Sequence, residues 1–577
     1  MTKDNASTWK MFWAIFKGYW VSEKKWEAWG LLSIAVALTI GQVWLLVMFN
    51  HWNKTFFDMF DHKDFSMFWS YTLEFVLIAF SYILAAAYSV YVQRTLRIRW
   101  RIWLTKGYLR QWMENQTYYR LQVLGSDADN PDQRISEDVG DFVKLTLELL
   151  LGFMRKMTIL VAFCSILWNL SGVLTFQVGD CAFAIHGYMF WVSLLYAILG
   201  TYFAHVVGGK LIPLNFEQQK YEANFRFSMM RVRENSESIA FYGGEKMEMQ
   251  GFKDSFRDCV RNYLQLIRRH KLLSLYTNTY GQTAFVIPIL MAAPRLFSGG
   301  FFIGDFMQLQ NAFLRVQDAL SFFVDSYATL ASLASVIRRL GLFTRHMEAA
   351  RTVGNGVRQV RGEAEQFQTA GLQVRLPDGR TLMQDCSLVL KPGQRLLVTG
   401  PSGCGKSTFL RTVSGIWPFG GGEVAVAPEE TRLFLPQRPY LPLGSLRRAV
   451  SYPLSDAPDD RLREALRLVQ MEGVLPRLDE TDDWSRILSL GEQQRIAFAR
   501  ALLFAPRWIF LDEATSALDE RREREMYSLL HAALPQTGIV SVGHRATLFA
   551  LHDMELHLVG GAGGAWQTRP IAATQRA

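Results

Sequence analysis

Six apolar stretches dominate the first part of the chain, at 28–50, 67–92, 148–171, 186–207, 275–295 and 306–335. Each is close to the ~20 residues that a membrane-spanning helix needs. Ahead of them, Trp9, Phe12, Trp13, Phe16 and Trp20 recur at the spacing of one helix face, with Lys3, Lys10, Lys17, Lys24 and Lys25 around them. That pattern predicts a helix over 1–27 lying along the cytoplasmic leaflet. A helix whose aromatic row faces a protein core is the alternative. Beyond residue 366 the pattern changes to short apolar runs such as Arg395–Thr399, Trp508–Leu511 and Ile539–Val542, each followed by a polar or glycine-rich turn. These read as buried strands of an α/β domain.

The loops give the orientation. Between spans two and three lie Arg94, Arg97, Arg99, Arg101, Lys106, Arg110, Arg120, Arg134 and Lys144, and a second basic loop runs from Lys210 to Lys271 between spans four and five. The opposite loops hold only Lys54, Lys63 and Arg295. The positive-inside rule therefore places both termini in the cytosol. The long basic loops also predict that the span helices continue well below the membrane. Residues 28–341 are expected to form an all-α six-span transmembrane domain, 342–366 a linker containing Gly354, Gly356 and Gly362, and 367–577 an α/β cassette. The Gly-, Ala- and Thr-rich tail after Gly560 is expected to fray.

Composition adds little beyond this. Of 577 residues half are hydrophobic, and 40 Phe, 20 Tyr and 17 Trp are many for a soluble protein. The net charge of +9 is explained by the cytosolic loops, so no nucleic-acid partner is invoked. Cys164, Cys181, Cys259, Cys386 and Cys404 have neither metal-site nor disulfide-framework spacing. The start shows no cleavable signal sequence.

Two stretches carry chemistry. Gly400, Pro401, Ser402, Gly403, Cys404, Gly405, Lys406 and Ser407 match G-x-x-x-x-G-K-[ST], with Thr408 opening the helix that follows. The loop amides suit nucleotide phosphates, Lys406 the β- and γ-phosphates, and Ser407 a Mg²⁺ ion. The second stretch is LSLGEQQRIAFARALLFAPRWIFLDEATSALD, Leu488–Asp519. Its Ser/Gly turn opens a helix able to hold a phosphate. Its strand ends on Asp512 and Glu513, where phosphoryl-transfer enzymes hold Mg²⁺ and polarise the attacking water.

Phe367 to Gly560 thus resembles the ATP-binding cassette of ABC transporters. The resemblance implies ATP and Mg²⁺ as ligands, Gln437 as the Q-loop residue touching Mg²⁺, Glu513 as catalytic base and His544 as the switch histidine. It also implies Ser489 and Gly491 as phosphate contacts and Asp512 as a metal ligand. The chain departs from the family at Leu490 and Glu492, where LSLGE replaces LSGGQ, and in lacking an adenine-stacking aromatic over Ala370–Arg380. Six spans with one cassette imply a homodimer, because each ATP site needs a P-loop from one copy and a signature turn from the other.

Asn50–Phe57 (NHWNKTFF), Arg97–Leu109, Tyr118–Tyr119 and Asp129–Asp138 (DNPDQRISED) resemble the SbmA/BacA-like transporters, especially the YddA-type members with a fused cassette. Asn235–Glu245 also resembles the peroxisomal D-type half-transporters. Independently of that, Asn130-Pro131 should break a helix and Ser136 begin the next. Along span six, Gln308, Asn311, Arg315, Asp318 and Asp325 lie within about 100° on a helical wheel, and Glu74 of span two can join them. Polar groups at that depth face water or a partner, which predicts a hydrophilic cavity unless Arg315 and Asp318 simply pair. The expected protein is a bacterial inner-membrane ATPase moving small hydrophilic or peptide cargo, cobalamin-like compounds included, with uptake favoured. A carrier or exporter of fatty acyl lipids and an ATP-gated channel or regulator are the alternatives.

Overall fold

The computed structural model describes residues 2–61, 65–124, 130–178, 181–297, 301–352, 356–361, 366–426, 428, 431–454, 457–560 and 564–571. They form two compact units, one of 1–110 with 130–344 and the other of 111–129 with 345–577.

The first unit is helical apart from one hairpin. It contains α1 (Thr2–Val21), α2 (Lys25–Asp61) and α3 (Phe68–Met113); a fourth helix, α4 (Thr117–Val123), belongs to the other unit. There follow α5 (Val139–Ser171), the hairpin β1 (Val173–Val178) and β2 (Cys181–His186), α6 (Tyr188–Gly208), α7 (Leu211–Glu234), α8 (Ser236–Tyr242), α9 (Glu245–Phe297), α10 (Ile303–Leu320) and α11 (Tyr327–Thr352). α11 runs on into the second unit after Thr344. Leu73, Leu77, Phe80 and Ile83 of α3 lie exposed on the outside, a surface that calls for lipid rather than water.

Four helical segments are long and apolar enough to cross a membrane, Lys25–Phe60, Phe68–Val123, Pro131–Ser171 and Tyr188–Glu234. They contain the first four expected spans. The fifth falls within α9, and the sixth runs across α10 and α11; among the described residues neither segment reaches that apolarity. Gln308, Gln310, Asn311, Arg315, Gln317 and Asp318 dilute α10. The expected continuous span over 306–335 is corrected as well. The helix is interrupted at Ser321, whose hydroxyl donates to the Gln317 carbonyl at 3.0 Å, and again at Ser326. A serine bonding back to the preceding turn is a common cause of such distortion.

The α1 aromatic row turns inward along its second half. Phe12 stacks on Phe16 and Phe16 on Trp20, with ring centroids 5.3 and 5.6 Å apart. Phe16 and Trp20 meet Trp100 of α3 edge-on, and Phe12 meets Phe142 of α5. Trp9 and Trp13 remain exposed. The core-facing alternative therefore describes the C-terminal half of the helix.

In DNPDQRISED the helix begins at Pro131, not at Ser136. Proline at the first helical position lacks the N–H that would be unpaired there. The next turn widens to a π-helix over Arg134–Asp138 and buries two charges. Asp138 accepts from Arg134 at 2.7 Å and from Arg339 of α11 at 2.5 and 2.9 Å. Asp129 lies outside the described residues.

The second unit is the cassette plus the loop 111–129. Arg351 donates to the Gln111 carbonyl at 2.6 Å and pairs with Glu114 at 3.1 Å, while Val123 of α4 packs on the core that contains Phe409, Leu410 and Val413. The expected boundaries are thus corrected in two places. Leu342–Thr352 is the end of α11, and β3 (Arg358–Arg361) is already a sheet strand rather than linker. The tail does not fray directly after Gly560, because its Trp566–Pro570 segment is paired as an edge strand.

The other strands of the two larger sheets are β4 (Phe367–Arg375), β5 (Thr381–Leu390), β6 (Arg395–Thr399), β7 (Gly420–Val426), β8 (Arg432–Leu435), β9 (Trp508–Asp512), β10 (Gly538–Val542), β11 (Met554–Leu558) and β12 (Trp566–Pro570). One sheet has the order β3-β7-β4-β5. The other has the order β12-β11-β6-β10-β9-β8 and is parallel except at β11–β12. β9 and β10 are apolar and almost wholly buried, as strands of a sheet covered on both faces must be. The helices α12 (Lys406–Val413), α13 (Leu490–Phe504) and α14 (Glu520–Ala533) complete the elements that matter for the site.

Asp138→Ala should lower the apparent melting temperature of the purified protein clearly, because it removes the buried carboxylate shared by two guanidinium groups, at a cost of roughly 3 kcal/mol. The exposed Asp132→Ala is the control and should change it little; equal effects would show that the buried cluster is unimportant.

Candidate functional site

Parallel register brings the cassette motifs to one edge. Asp512 stands opposite Val542, Leu511 opposite Leu435, and Val542 opposite Val398. The chain therefore leaves β6 into the glycine loop, β8 into Gln437, β9 into Glu513 and β10 into His544, all at the carboxyl ends of the strands. That edge is where open α/β sheets bind ligands.

The glycine loop is tightly specified. Gly400 has φ +141°, and a Cβ there would lie 2.4 Å from the Leu558 carbonyl oxygen. Lys406 Nζ donates to the carbonyls of Gly400 and Pro401, at 2.9 Å each, and so sits across the loop mouth. Ser407 Oγ donates to Asp512 Oδ1 at 2.8 Å. Burial raises the Asp512 carboxyl above its ordinary value; Ser407, Arg411 and Lys406 work against that, and Glu513 adds to it. Hydroxyl, carboxylate and the amide oxygen of Gln437 are hard donors, the set that suits Mg²⁺.

Glu513 adopts φ +48°, a conformation L-residues rarely take. Its amide is fixed by the Val542 carbonyl at 3.1 Å. Its carboxylate accepts from Gln437 Nε2 at 3.0 Å and lies 4.0 Å from His544 Nδ1. Carboxylate, amide and imidazole therefore form one group, with His544 largely exposed.

At the start of α13 a capping box closes the signature turn. Ser489 Oγ accepts from Glu492 N, and Glu492 Oε2 accepts from the Ser489 amide at 2.9 Å and hydroxyl at 2.8 Å. Burial works to raise the Glu492 carboxyl, but these bonds and Arg495 outweigh it and hold it below the usual carboxylate range. The departure from LSGGQ thus has a local role: Glu492 fixes Ser489. Gly491 lies beside the Ala517 carbonyl.

Several contributors escaped sequence reasoning. Gln494 is fully buried and bonded to two loops. Arg545, next to His544, donates to the carbonyls of Leu518 at 2.7 Å and Ser516 at 3.0 Å and pairs with buried Glu523 at 3.6 Å. The signal for both was a polar residue beside a motif, which carries no role until its partners are known. A pocket of about 480 Å³ beside Ser407 and Asp512 is lined in part by Gln116 of the loop 111–129.

The helical unit has its own cavity, of about 740 Å³, between α6, α9 and the α10–α11 region. Asp318 and Asp325 line it together with Gln317, Ser321, His205, His270, Tyr276 and Tyr280. Asp318 pairs with Lys156 of α5 at 2.6 Å, not with Arg315. Tyr280 stacks on Tyr196 with centroids 4.4 Å apart, and Gly200 makes room for it, since a Cβ there would fall 2.3 Å from the ring. Of the residues expected to share a face, Gln308, Asn311, Arg315 and Glu74 are not part of this lining. Gln308 is buried and Glu74 exposed elsewhere.

A phosphate loop, a carboxylate pair at a strand end and a capped signature turn, fused to helices long enough to span a bilayer, define an ATP-driven membrane transporter. Residues 15–297 match the model of ABC transporter transmembrane region 2, and 383–516 match the ABC transporter model. The inner membrane ABC transporter ATP-binding protein YddA of Escherichia coli (strain K12) is 34% identical over 93% of this chain and 95% of its own length. ABC transporter D family member 2, chloroplastic, of Arabidopsis thaliana is 32% identical over 95% and 86%, and the lysosomal cobalamin transporter ABCD4 of Homo sapiens is 30% identical over 89% of each. The chain therefore belongs to the ABC transporter family, as a half-transporter homologous to YddA and to the D-family proteins. It is a membrane protein whose cassette binds and hydrolyses ATP to drive transport.

Gly400→Ala should weaken ATP binding by roughly a hundredfold or more, because the added Cβ must displace the loop from Leu558. Gly403 also has positive φ but nothing within 4 Å of an added Cβ, so Gly403→Ala should cost only the ~1–2 kcal/mol of backbone strain, about tenfold. Titration of a fluorescent ATP analogue compares the two.

Proposed function

We propose that two copies of this chain form a transporter that carries hydrophilic solutes, peptides or cobalamin-like compounds, inward across a bacterial inner membrane, with both termini in the cytosol. The carrying observation is the 740 Å³ cavity of the helical unit, whose lining mixes carboxylates, amides, hydroxyls and imidazoles with tyrosine rings. Glycines, leucines and tyrosine rings make much of this wall apolar, but Asp318 and Asp325 set two carboxylates in it, where a carrier of fatty acyl chains calls for a lining without charge. The basic loops support the orientation, and the name of YddA supports the membrane. The cobalamin named for ABCD4 and the resemblance to SbmA/BacA-like proteins support the cargo class. D-family half-transporters generally act as dimers, and one cassette supplies one glycine loop and one signature turn.

The residues divide the work as follows. Lys406 and the loop amides bind the phosphates of ATP. Ser407, Asp512 and Gln437 would hold Mg²⁺, which when bound neutralises charge on the phosphate oxygens. Glu513 orients the attacking water and takes its proton; Gln437 steadies the carboxylate, and His544 stands where the γ-phosphate is sensed. Ser489 and Gly491 meet the phosphates held by the partner copy.

Three measurements test this. In vesicles of known orientation, labelled cobalamin or a cationic peptide should accumulate on the cassette side only with ATP; movement the other way overturns uptake. Glu513→Gln should trap ATP in a closed dimer and slow turnover about a hundredfold or more, whereas ordinary turnover would remove Glu513 from its role. Asp325→Asn should lower transport of cationic cargo selectively and leave basal ATP hydrolysis near wild type. Asp318→Asn instead removes the negative charge paired with Lys156, and should reduce folded yield and all cargoes alike.

A further inference from the structure

Gln494 is a polar side chain with no exposure, on the second turn of α13. Both ends of its amide are engaged. Nε2 donates to the Gln437 carbonyl at 2.9 Å and to Ser516 Oγ at 3.1 Å; Oε1 accepts from the Ala517 amide at 3.0 Å. These partners sit on two different loops, one after β8 and one after β9, and neither loop segment belongs to a strand pairing. The link extends further. Gln437, held by its backbone, uses its own side chain to bond Glu513 at 3.0 Å. One continuous line of contacts thus runs from the Ser516–Asp519 turn through Gln494 and Gln437 to the catalytic carboxylate and on toward His544. The same helix begins at Ser489, the turn that meets the partner's nucleotide.

A buried glutamine can be no more than a satisfied core group. Here, though, no regular element needs it: every bond it makes goes to a loop, and both loops flank Glu513. We propose that Gln494 is a positioning residue for ATP hydrolysis, tying the Gln437 loop to the Ser516–Asp519 turn so that Glu513 is aimed only when both are in register. The proposal rests on Glu513 and Gln437 acting as described above. Gln494 touches no reacting atom; it acts through Gln437.

The test uses the full chain reconstituted in lipid nanodiscs with ATP and Mg²⁺. Gln494→Met keeps length and removes all three bonds. Gln494→Glu keeps an acceptor for Ala517 N and for the Ser516 hydroxyl but offers nothing to the Gln437 carbonyl. Both should lower kcat about tenfold or more while KM for ATP stays within about twofold, since an interaction lost only in the transition state lowers kcat and leaves ground-state binding alone. A Gln494→Glu protein with wild-type kcat overturns the link to Gln437. The decisive readout is non-additivity. In a Glu513→Gln background the single-turnover rate should fall less than about twofold on adding Gln494→Met, because the group being aimed is already gone. An equal fold-loss in both backgrounds, or a loss matched by a rise in KM, reduces Gln494 to a structural residue. If Glu513→Gln alone keeps ordinary turnover, the catalytic assignment fails instead, and the wild-type-background measurements report that separately.

Discussion

The cassette depends on four parallel strands ending level. β6, β10, β9 and β8 are paired so that Val398, Val542, Asp512 and Leu435 lie near one edge. The glycine loop, His544, Glu513 and Gln437 follow those residues directly. A slip of one residue would exchange the two buried faces of β9 and shift Asp512 by about 3.3 Å along the strand, away from the loops it must meet. The register is protected by burial on both faces: Trp508, Ile509, Phe510 and Leu511 of β9, and Ile539, Val540 and Val542 of β10, are all essentially inaccessible. Hydrophobic packing of residues inside the core thereby sets where Asp512 and the loops beyond these strands stand.

That arrangement explains which parts of the site were legible beforehand. Arg395–Thr399, Trp508–Leu511 and Ile539–Val542 read as strands because fully buried strands are unbroken apolar runs, and their observed limits differ by one residue at most. The glycine loop was legible because its backbone conformation excludes other residues, as the approach of Gly400 to Leu558 illustrates. Gln494, Arg545 and Glu523 were not, because a single glutamine or arginine in a helical or turn pattern carries no address. The loop 111–129 was assigned by sequence order to the helical domain. It packs with the cassette because Val123 and Arg351 find their partners there, and long-range contacts leave no periodicity to read.

The helical unit shows the opposite balance. Apolar length marks six stretches, of which four stand in described helices long and apolar enough to span a membrane. α10 must place Gln317, Asp318 and Ser321 beside a cavity, so it forgoes the hydropathy by which a span is recognised. The helical wheel also assumed a straight helix. The interruption at Ser321 breaks the phase between Gln308 and Asp325, and the residues that gather are Asp318 and Asp325 with side chains from α6 and α9. Arg315 looked like the partner of Asp318 by proximity in sequence; Lys156, 162 residues away, is the partner in space. A charge in a membrane domain needs compensation, but sequence spacing does not say from which helix it comes.

Sheet and loops thus contribute different things to catalysis. The sheet fixes where Asp512 ends, but the next residue, Glu513, leaves it in a strained conformation at φ +48°. Such strain persists only where the surroundings over-determine it. Here the determinants are few: the Val542 carbonyl on the Glu513 amide, Gln437 on its carboxylate, and Arg545 and Gln494 on the turn that follows. Three of these four belong to side chains at loops or at the surface of a helix, so they can be broken without disturbing a strand. An active site built this way can change its alignment at low energetic cost while the sheet stays intact. That is the property the proposed dimer mechanism needs, in which hydrolysis waits until a second copy brings its Ser489–Gly491 turn to the nucleotide.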